Sequence, residues 1–347
     1  MAFFRYKNNS RLFILIFLLS LPVLAQEVIF VDGFESLPAE QDLDQDGLLN
    51  GEEENLGTDP RKPDTDGDGF GDGSEVAVGT DPLDKNSFPM TPPDPATVAS
   101  DPEPGITTTL FDSTAFLYTG DNPIQTGVAP DTIELVRASV IRGKVMTRRG
   151  APLPTVVVSI LNRPELGQTL SRADGKFDLV VNGGGQMIVD YQLDGFLQAQ
   201  RQVAVPWQNY VNVDDVVLIG LDPVVTTVDF NSPASVQIAK SSEISDEDGT
   251  RQAVLMIPKG STAQMVMSDD SIVPVSTLNI RATEYTVGDM GPAAMPGSLP
   301  PSSGYTYAVE MSADEALNDG AKSVEFNQPL PFYVDNFLGF PAGTPVP

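Results

Sequence analysis

The amino-acid sequence predicts a mainly β protein, in which an acidic repeat module and a proline-rich linker precede two β-sandwich-like domains. From about residue 107 onward, short runs rich in Val, Ile, Thr and Tyr alternate with Gly, Pro, Asn and Asp, which is typical of strands and turns. Before that point, residues 41–84 carry 14 Asp and Glu against two basic residues, and residues 86–106 carry six prolines. These contrasts in composition divide the chain into domains.

The overall composition excludes several classes of function. The 347 residues have a formal net charge of −28, which would repel a nucleic acid backbone, so we predict no nucleic acid partner. The chain contains no Cys and no His. Thiol nucleophiles, Ser-His-Asp triads and the usual zinc ligands are therefore missing, and we predict that the protein is not an enzyme.

Residues 1–25 have the organisation of a secretory signal peptide. Basic residues near the start precede an apolar run over 12–21 and a small-residue cleavage pattern at 23–25. We expect the mature chain to begin at Gln26, with a short N-terminal segment over 26–40. Since no later stretch is long and apolar enough to cross a bilayer, we predict no membrane span after cleavage and a secreted, extracellular or cell-surface location.

Residues 41–85 contain an acidic pattern that repeats after 22 residues. The acids, a Gly and a final Glu of the first half recur in the second half, and GTDP at 57–60 recurs at 79–82. Both halves fit D-x-D-x-D-G-x5-E, the pattern of a calcium-binding loop. A solvated acidic stretch would explain neither the phase of the acids nor the repeated Gly, so we predict one Ca²⁺ site in each half.

The chemistry of Ca²⁺ explains each position of these loops. The ion takes about six to eight oxygen ligands, and a loop of this kind supplies them from positions 1, 3, 5, 7, 9 and 12, with the backbone carbonyl acting at position 7. The predicted ligands of the first loop are Asp42, Asp44, Asp46, Leu48, Asn50 and Glu53. The predicted ligands of the second loop are Asp64, Asp66, Asp68, Phe70, Asp72 and Glu75. Without the ion these carboxylates would repel one another, so we expect the module to be ordered in calcium and loose in chelator.

The repeats over 41–84 resemble calcium-binding thrombospondin type 3 repeats in the form common in bacterial surface proteins. EF-hands and dockerins share the loop but need longer helices after it. Here the segment ENLGTDP leaves about a turn and a half before Asp-Pro ends the helix. The resemblance implies an extracellular calcium module, in which Asp59 and Asp81 are candidate outer ligands.

Residues 107–222 are predicted to form the first β domain, which has an N-terminal extension. Asp174-Gly175 and Asp194-Gly195 supply turns between its runs. The predicted strands cover 138–146, 155–161, 176–181, 187–192, 197–205 and 211–219. The linker over 86–106 should be an extended, semi-rigid spacer that separates this domain from the acidic module.

Several segments of this domain carry a family resemblance. They are IRGKVMTRRGAPLPTVVVSI, GQTLSRADGKFDLVV, MIVDYQLDGFLQAQRQVAV and VVLI. Through them, residues 138–219 resemble the carboxypeptidase regulatory-like, transthyretin-like β-sandwich. The resemblance implies an accessory fold that has no catalytic residues of its own.

Residues 223–347 are predicted to form a second β domain, with one short helix over 313–319 that Ser312 caps. Segments such as FLYTGDNPIQTGVAPDTIE and VEFNQPLPFYVDNFLGF extend the resemblance. Over 110–347 the chain is similar to the amino-terminal region of bacterial RHS/YD-repeat proteins, the teneurin-like group. The resemblance implies that the chain is the front part of a longer polypeptide, with a C-terminal YD-repeat shell or another cell-surface protein as its partner.

Together these features predict a secreted, calcium-binding, non-enzymatic structural or interaction protein. One alternative is an adhesin or carbohydrate-binding module, although aromatic residues in β domains more often supply packing. Its candidate aromatic face comprises Trp207, Tyr210, Tyr305 and Tyr307. A second alternative is an enzyme with an acid pair at 214–215 or 246–248, but both segments lie among turn residues, where solvated acids are common.

Overall fold

The computed structural model describes residues 37–101, 105, 107–246, 248–288, 290–297 and 307–341. The predicted signal peptide over 1–25 and its cleavage point lie outside the described residues. From Pro38 onward the described elements belong to one compact unit.

The helices of the described residues are short. They are α1 (Asn50–Leu56), α2 (Asp72–Val78), α3 (Pro95–Val98), α4 (Leu110–Thr114), a 3-10 helix over Ala115–Leu117, α5 (Gly291–Ala294) and α6 (Asp314–Asn318). No helix in this part of the chain is long and apolar enough to cross a membrane.

The first β domain consists of two sheets, of which one is antiparallel and the other is mixed. Its strands are β1 (Gln125–Val128), β2 (Ala138–Thr147), β3 (Val157–Ile160), β4 (Leu166–Leu170), β5 (Lys176–Asn182), β6 (Gly185–Gln192), β7 (Ala199–Val205), β8 (Tyr210–Asn212) and β9 (Val216–Leu218). One sheet has the order β1-β4-β3-β6-β7, and the other has β5-β2-β8, with β9 also pairing with β2. The strands β8 and β9 run parallel to β2, and all the other pairs in this domain are antiparallel.

The alternation of apolar residues explains how the two sheets enclose one core. In β3, Val158 and Ile160 are buried while Val157 and Ser159 are half-buried, which is the pattern of a strand with one inner face. Gln125 is the polar exception and is fully buried. Its Nε2 donates to the carbonyls of Leu166 at 2.7 Å and Val180 at 2.9 Å, so it joins the two sheets without leaving an unpaired group.

Three small sheets and a hairpin form the second β domain. Its strands are β10 (Thr226–Asp229), β11 (Val236–Lys240), β12 (Ile244–Asp246), β13 (Gly249–Arg251), β14 (Ala253–Pro258), β15 (Ala263–Val266), β16 (Ile272–Val275), β17 (Thr277–Glu284), β18 (Val309–Ala313), β19 (Ser323–Phe326) and β20 (Phe332–Val334). The sheets have the orders β10-β17-β18, β11-β14-β20 and β16-β15-β19, and β12 pairs with β13. A separate apolar cluster, which includes Met146, Val217 and Tyr285, joins this domain to the first one.

The predicted fold class is confirmed, because the described chain is mainly β and consists of several sheets. Among the predicted strands and helices, two differ from the structure. The run over 211–219 forms two strands instead of one, and both of them pair with successive parts of β2. The predicted helix over 313–319 is present as α6, but Ala313 occupies the N-cap position and no side chain caps the helix, so Ser312 does not have the predicted role.

Candidate metal centre

The two acidic loops have the same backbone conformation. Gly47 and Gly69, at position 6 of each loop, have φ values of +100° and +102°, in the left-handed region that glycine adopts at little cost. A short helix follows each loop, α1 in the first repeat and α2 in the second, and each helix ends at a left-handed glycine. The repeat seen in the sequence is therefore also a repeat of backbone geometry.

The first acid of each loop organises the turn through the same two hydrogen bonds. Asp42 accepts from the backbone amides of Gln45 at 2.7 Å and Gly47 at 3.0 Å. Asp64 accepts from Gly67 at 2.7 Å and Gly69 at 3.0 Å. These bonds hold the chain in a tight arc, so the following acids at positions 3 and 5 point to one side.

The last acid of each loop is brought inward by the helix that carries it. Glu53 in α1 and Glu75 in α2 are fully buried. One oxygen of Glu75 accepts from Thr80 Oγ1 at 3.2 Å, and Thr58 Oγ1 lies 3.5 Å from the matching oxygen of Glu53. The interior of the module is thus lined by carboxylates where an ordinary domain has apolar side chains.

Several buried carboxylate oxygens in the two loops have no hydrogen-bond donor. They are Asp44 Oδ2, Glu53 Oε2, Asp66 Oδ2, Asp68 Oδ2 and Glu75 Oε2. Each belongs to loop position 3, 5 or 12, where the calcium-loop pattern requires a ligand. Unpaired buried oxygens are costly in a folded protein, and one divalent cation in each loop would satisfy them. The residues present therefore fit a bound calcium ion.

The acids also lie close enough together to share an ion. In each of three groups, one carboxylate oxygen from every member lies within 4.8 Å of the others. The groups are Asp42, Asp44 and Asp46; Asp64, Asp66 and Asp68; and Asp46, Glu53 and Asp72. The last group combines two acids of the first loop with one of the second. Asp72, which we predicted as a ligand of the second loop, therefore also lies near the first, while its two oxygens accept from the Thr65 amide and hydroxyl of its own loop at 2.8 and 2.6 Å.

Burial makes these carboxylates hard to ionise without a cation. Burial, followed by the negative charges of Asp44 and Asp46, raises the pKa of Glu53 to about 7. Burial, followed by the charge of Asp68, raises the pKa of Glu75 to about 7. Burial also raises the pKa of Asp46 to about 6, against the effect of its two backbone hydrogen bonds. A cation bound among these carboxylates would lower their pKa values and favour their ionised forms.

The remaining predicted ligands have more limited support in the geometry. Asn50 is buried, and its Oδ1 accepts from the Leu43 amide at 3.2 Å. The carbonyl groups of Leu48 and Phe70 remain predicted ligands, although the amides of both residues donate to the position 5 acid of their own loop. Asp59 and Asp81 are exposed and belong to none of the acidic groups in the described part of the chain.

The structure gives less support to the two alternative sites, the aromatic face and the acid pair. Trp207 is 59% exposed and Tyr210 is 42% exposed, but the Arg142 guanidinium lies 4.3 Å from the Tyr210 ring centroid and covers one face of that ring. Tyr305 lies outside the described residues. Asp246 pairs with Arg251 at 2.7 Å, so it is occupied by a structural ion pair rather than held free for catalysis.

Comparisons with known proteins agree with this arrangement. The bacterial TSP3 repeat model matches residues 42–63 and 64–85, and the teneurin TTR-like domain model matches residues 133–218. The chain therefore contains two bacterial TSP3 repeats followed by a teneurin TTR-like domain. TSP3 repeats are calcium-binding, and these families are structural, which indicates a structural or interaction role.

Similar individual proteins include several teneurins. Mouse Teneurin-3 is 36% identical over 131 residues, which is 36% of this chain and 5% of that protein. Teneurin-m of Drosophila melanogaster is 39% identical over 115 residues, or 33% of this chain and 4% of that protein. The chain thus spans a small fraction of the length of these relatives.

A solved structure with some similarity is the 3-chlorocatechol 1,2-dioxygenase of Rhodococcus opacus 1CP. It is 11% identical, with a TM-score of 0.22, over 28% of this chain and 65% of that one. A score this low supports no conclusion about fold or function.

Proposed function

We propose that each acidic loop binds one Ca²⁺ ion and that the two ions order the repeats of an exported, non-enzymatic structural protein. The observation that carries this proposal is the set of buried carboxylate oxygens without donors, which recur at positions 3 and 12 of both loops. Because the module has few buried apolar side chains, cation binding would supply much of its folding free energy.

The structure supports a specific assignment of ligands. The first ion would be held by Asp42, Asp44, Asp46 and Glu53, with Asp72 contributing from the second repeat. The second ion would be held by Asp64, Asp66, Asp68 and Glu75. The carbonyls of Leu48 and Phe70 and the side chain of Asn50 complete the proposed set. When bound, each ion neutralises the gathered carboxylates, and the protein side chains fix its position.

The two buried glutamates give the sharpest test of calcium binding. Glu53→Gln with Glu75→Gln keeps the side-chain shape but removes both charges and one ligand oxygen from each site. We expect calorimetric titration of this double variant to show at least tenfold weaker binding than the unchanged chain, whose affinity we place at about 10⁻⁴ to 10⁻³ M. Glu40→Gln with Glu54→Gln removes the same charge from exposed positions of the same region and should bind like the unchanged chain. Equal loss in both variants would reject the ligand assignment.

We further propose that the protein acts outside the cytoplasm, at the cell surface or in the medium. The predicted signal peptide, the calcium repeats and the similarity to teneurins support this location. Mass spectrometry of the chain recovered from an expressing bacterium should find a mature N-terminus at Gln26. An N-terminus that retains the first 25 residues would contradict this prediction.

The proposed partner is a YD-repeat shell that the teneurin-like domain precedes in the same polypeptide, or another surface protein. Support comes from the matched TTR-like domain and from the second β domain that follows it. Co-expression of the chain with a YD-repeat segment encoded downstream should yield a complex that remains intact in gel filtration. Separate elution of the two would count against this partner.

A further inference from the structure

The turn between β2 and β3, residues 148–154, is in direct contact with both calcium-loop repeats. Ser74 Oγ of the second repeat donates to the Pro152 carbonyl at 2.7 Å. In the first repeat, a Cβ placed on Gly47 would lie 2.6 Å from Ala151 Cβ, so the two backbones meet where the repeat has no side chain. Ser74 and Ala151 are each only 1% exposed. The contact is therefore close, although 78 residues separate its two hydrogen-bonded partners.

Arg149 and the second helix extend this contact. Arg149 donates to both carboxylate oxygens of Glu52, with Nη2 at 3.1 Å from Oε1, and its Nη1 also reaches the Gly47 carbonyl at 3.4 Å. This ion pair is largely exposed, so it contributes little to stability and mainly affects the orientation of the first repeat. From α2, Ala77 and Val78 pack against the core of the first β domain.

The three residues of the repeats that contact the turn are direct neighbours of proposed calcium ligands. Gly47 follows Asp46, Glu52 precedes Glu53, and Ser74 precedes Glu75. The loop acids and the docking contacts are therefore carried by the same few backbone units. Without a cation, the carboxylates of Asp46, Glu53 and Asp72 repel one another at close range, and relief of that repulsion must move the contact residues with them.

We propose that the turn over 148–154 is a calcium-dependent docking site, to which the repeats attach when their ions are bound and from which they detach when the ions are lost. The inference rests on the proposed calcium binding. Contacts of this kind, with two hydrogen-bonded groups, one exposed ion pair and a few small apolar residues, leave relative motion as the default between domains. Bound calcium ions therefore hold the repeats in a fixed position against the turn, which the contact alone does not do.

The same turn also contacts the second β domain. Arg148 Nη2 donates to the carbonyl of Glu284 at the end of β17, and Met146 lies in the apolar cluster that contains Tyr285. Within the turn, Arg148 thus contacts the second β domain, and the neighbouring Arg149 contacts the first repeat. Calcium lost from the repeats therefore frees one side of the junction between the two β domains.

Hydrogen–deuterium exchange on the full chain tests this inference. We expect calcium at about 5 mM, several times the upper end of the expected dissociation constant, to slow exchange of the backbone amides over 148–154 by about tenfold relative to chelator. Amides of β15, the central strand of a sheet that makes none of these contacts, serve as the internal reference and should not respond. Ala151→Leu, which places a larger side chain against Gly47, should still bind calcium, more weakly by the factor that couples binding to docking, but should lose the calcium-dependent protection of the turn. Arg149→Glu provides a second variant, at an exposed position that the fold of the β domain does not need.

The outcomes separate the two proposals. If calcium binds but leaves exchange over 148–154 unchanged, the docking proposal is overturned while calcium binding stands. Calcium-dependent protection that persists in Ala151→Leu and Arg149→Glu would also overturn it, because the protection would then not depend on this contact. If the unchanged chain binds no calcium, both proposals are overturned.

Discussion

The acids of the two loops differ in how many of their oxygens are already hydrogen-bonded, and that difference shows what each residue does. Asp42 and Asp64 have both oxygens occupied by backbone amides, so they shape the turn as well as facing the site. Asp46 accepts from Leu48 within its loop and from Gly73 of the second repeat, at 2.9 Å. The equivalent Asp68 has one free oxygen, because no further repeat follows it.

The spacing of the acids was sufficient to predict which side chains gather within each loop, because that geometry is local. It did not predict that Asp72, besides its contacts in the second loop, also approaches the first. This residue approaches the first loop because the two repeats pack together at Gly73, where any Cβ would collide with the Asp46 carbonyl. The two repeats can pack together because Gly73 has no side chain, and the calcium-loop pattern does not specify the residue at that position.

At the residue scale, Asp72→Asn tests whether the second repeat contributes to the first site. The change gives the second repeat the residue that Asn50 provides in the first, and the Oδ1 acceptor for the Thr65 amide is retained. We expect the tighter of the two calcium affinities to fall by about three- to tenfold, because one negative charge is lost beside the ion. Calorimetric titration measures this, and Asp59→Asn, which is exposed, serves as the control. Unchanged affinities would show that Asp72 is structural only.

At the scale of elements, the sequence predicted the central strands of the first β domain well, because their apolar residues alternate. It missed β4, whose segment is short and contains Gly167 at a φ of +65° together with polar Gln168. The pairing partner of such a strand, and not its own residues, stabilises it: Thr169 lies opposite both Gln125 of β1 and Val158 of β3. Strand propensity is a weak guide where neighbouring strands decide the outcome.

The calcium-free module should show an unusual dependence on pH. An ordinary Glu has a pKa of 4.5, while Glu53 and Glu75 have pKa values raised to about 7 by burial and then by neighbouring acids. The folded, calcium-free module therefore binds more protons than the unfolded chain between about pH 4.5 and 7, and its stability falls as the pH rises through that window. Thermal melts in chelator at pH 5 and pH 7.5 should show the higher melting temperature at pH 5. Glu53→Gln with Glu75→Gln should reduce this difference, and a melting temperature that rises with pH in the unchanged chain would contradict the prediction.

The hairpin of β12 and β13 depends on a buried charge. Arg251 is 1% exposed, and it donates to Glu284 at 2.7 Å and to both oxygens of Asp246 at 2.7 Å. Arg251→Met would leave the Glu284 carboxylate buried without its partner, so we expect the free energy of unfolding to fall by about 3–5 kcal/mol. Urea denaturation measures this. Arg163→Met, which breaks an exposed pair with Glu165, should cost less than about 1 kcal/mol, and equal costs would refute the distinction.

At the scale of the whole molecule, the described chain is a series of modules held by contacts that the sequence did not reveal. We predicted that the proline-rich linker separates the acidic module from the first β domain. In the structure the module nevertheless lies against that domain, through Ser74 and Pro152 and through Gly47 and Ala151. Such contacts join residues far apart in the chain and involve small or backbone groups, so no periodic pattern marks them in advance.

The central claim is that two divalent ions complete the module, and the number of ions bound tests it most directly. Calorimetric titration of the unchanged chain with CaCl₂, after exhaustive treatment with chelator, should give two ions per chain with dissociation constants of about 10⁻⁴ to 10⁻³ M. Far-UV circular dichroism recorded over the same titration should change in parallel, as α1 and α2 become ordered. A chain that takes up no calcium at millimolar concentration would contradict the account.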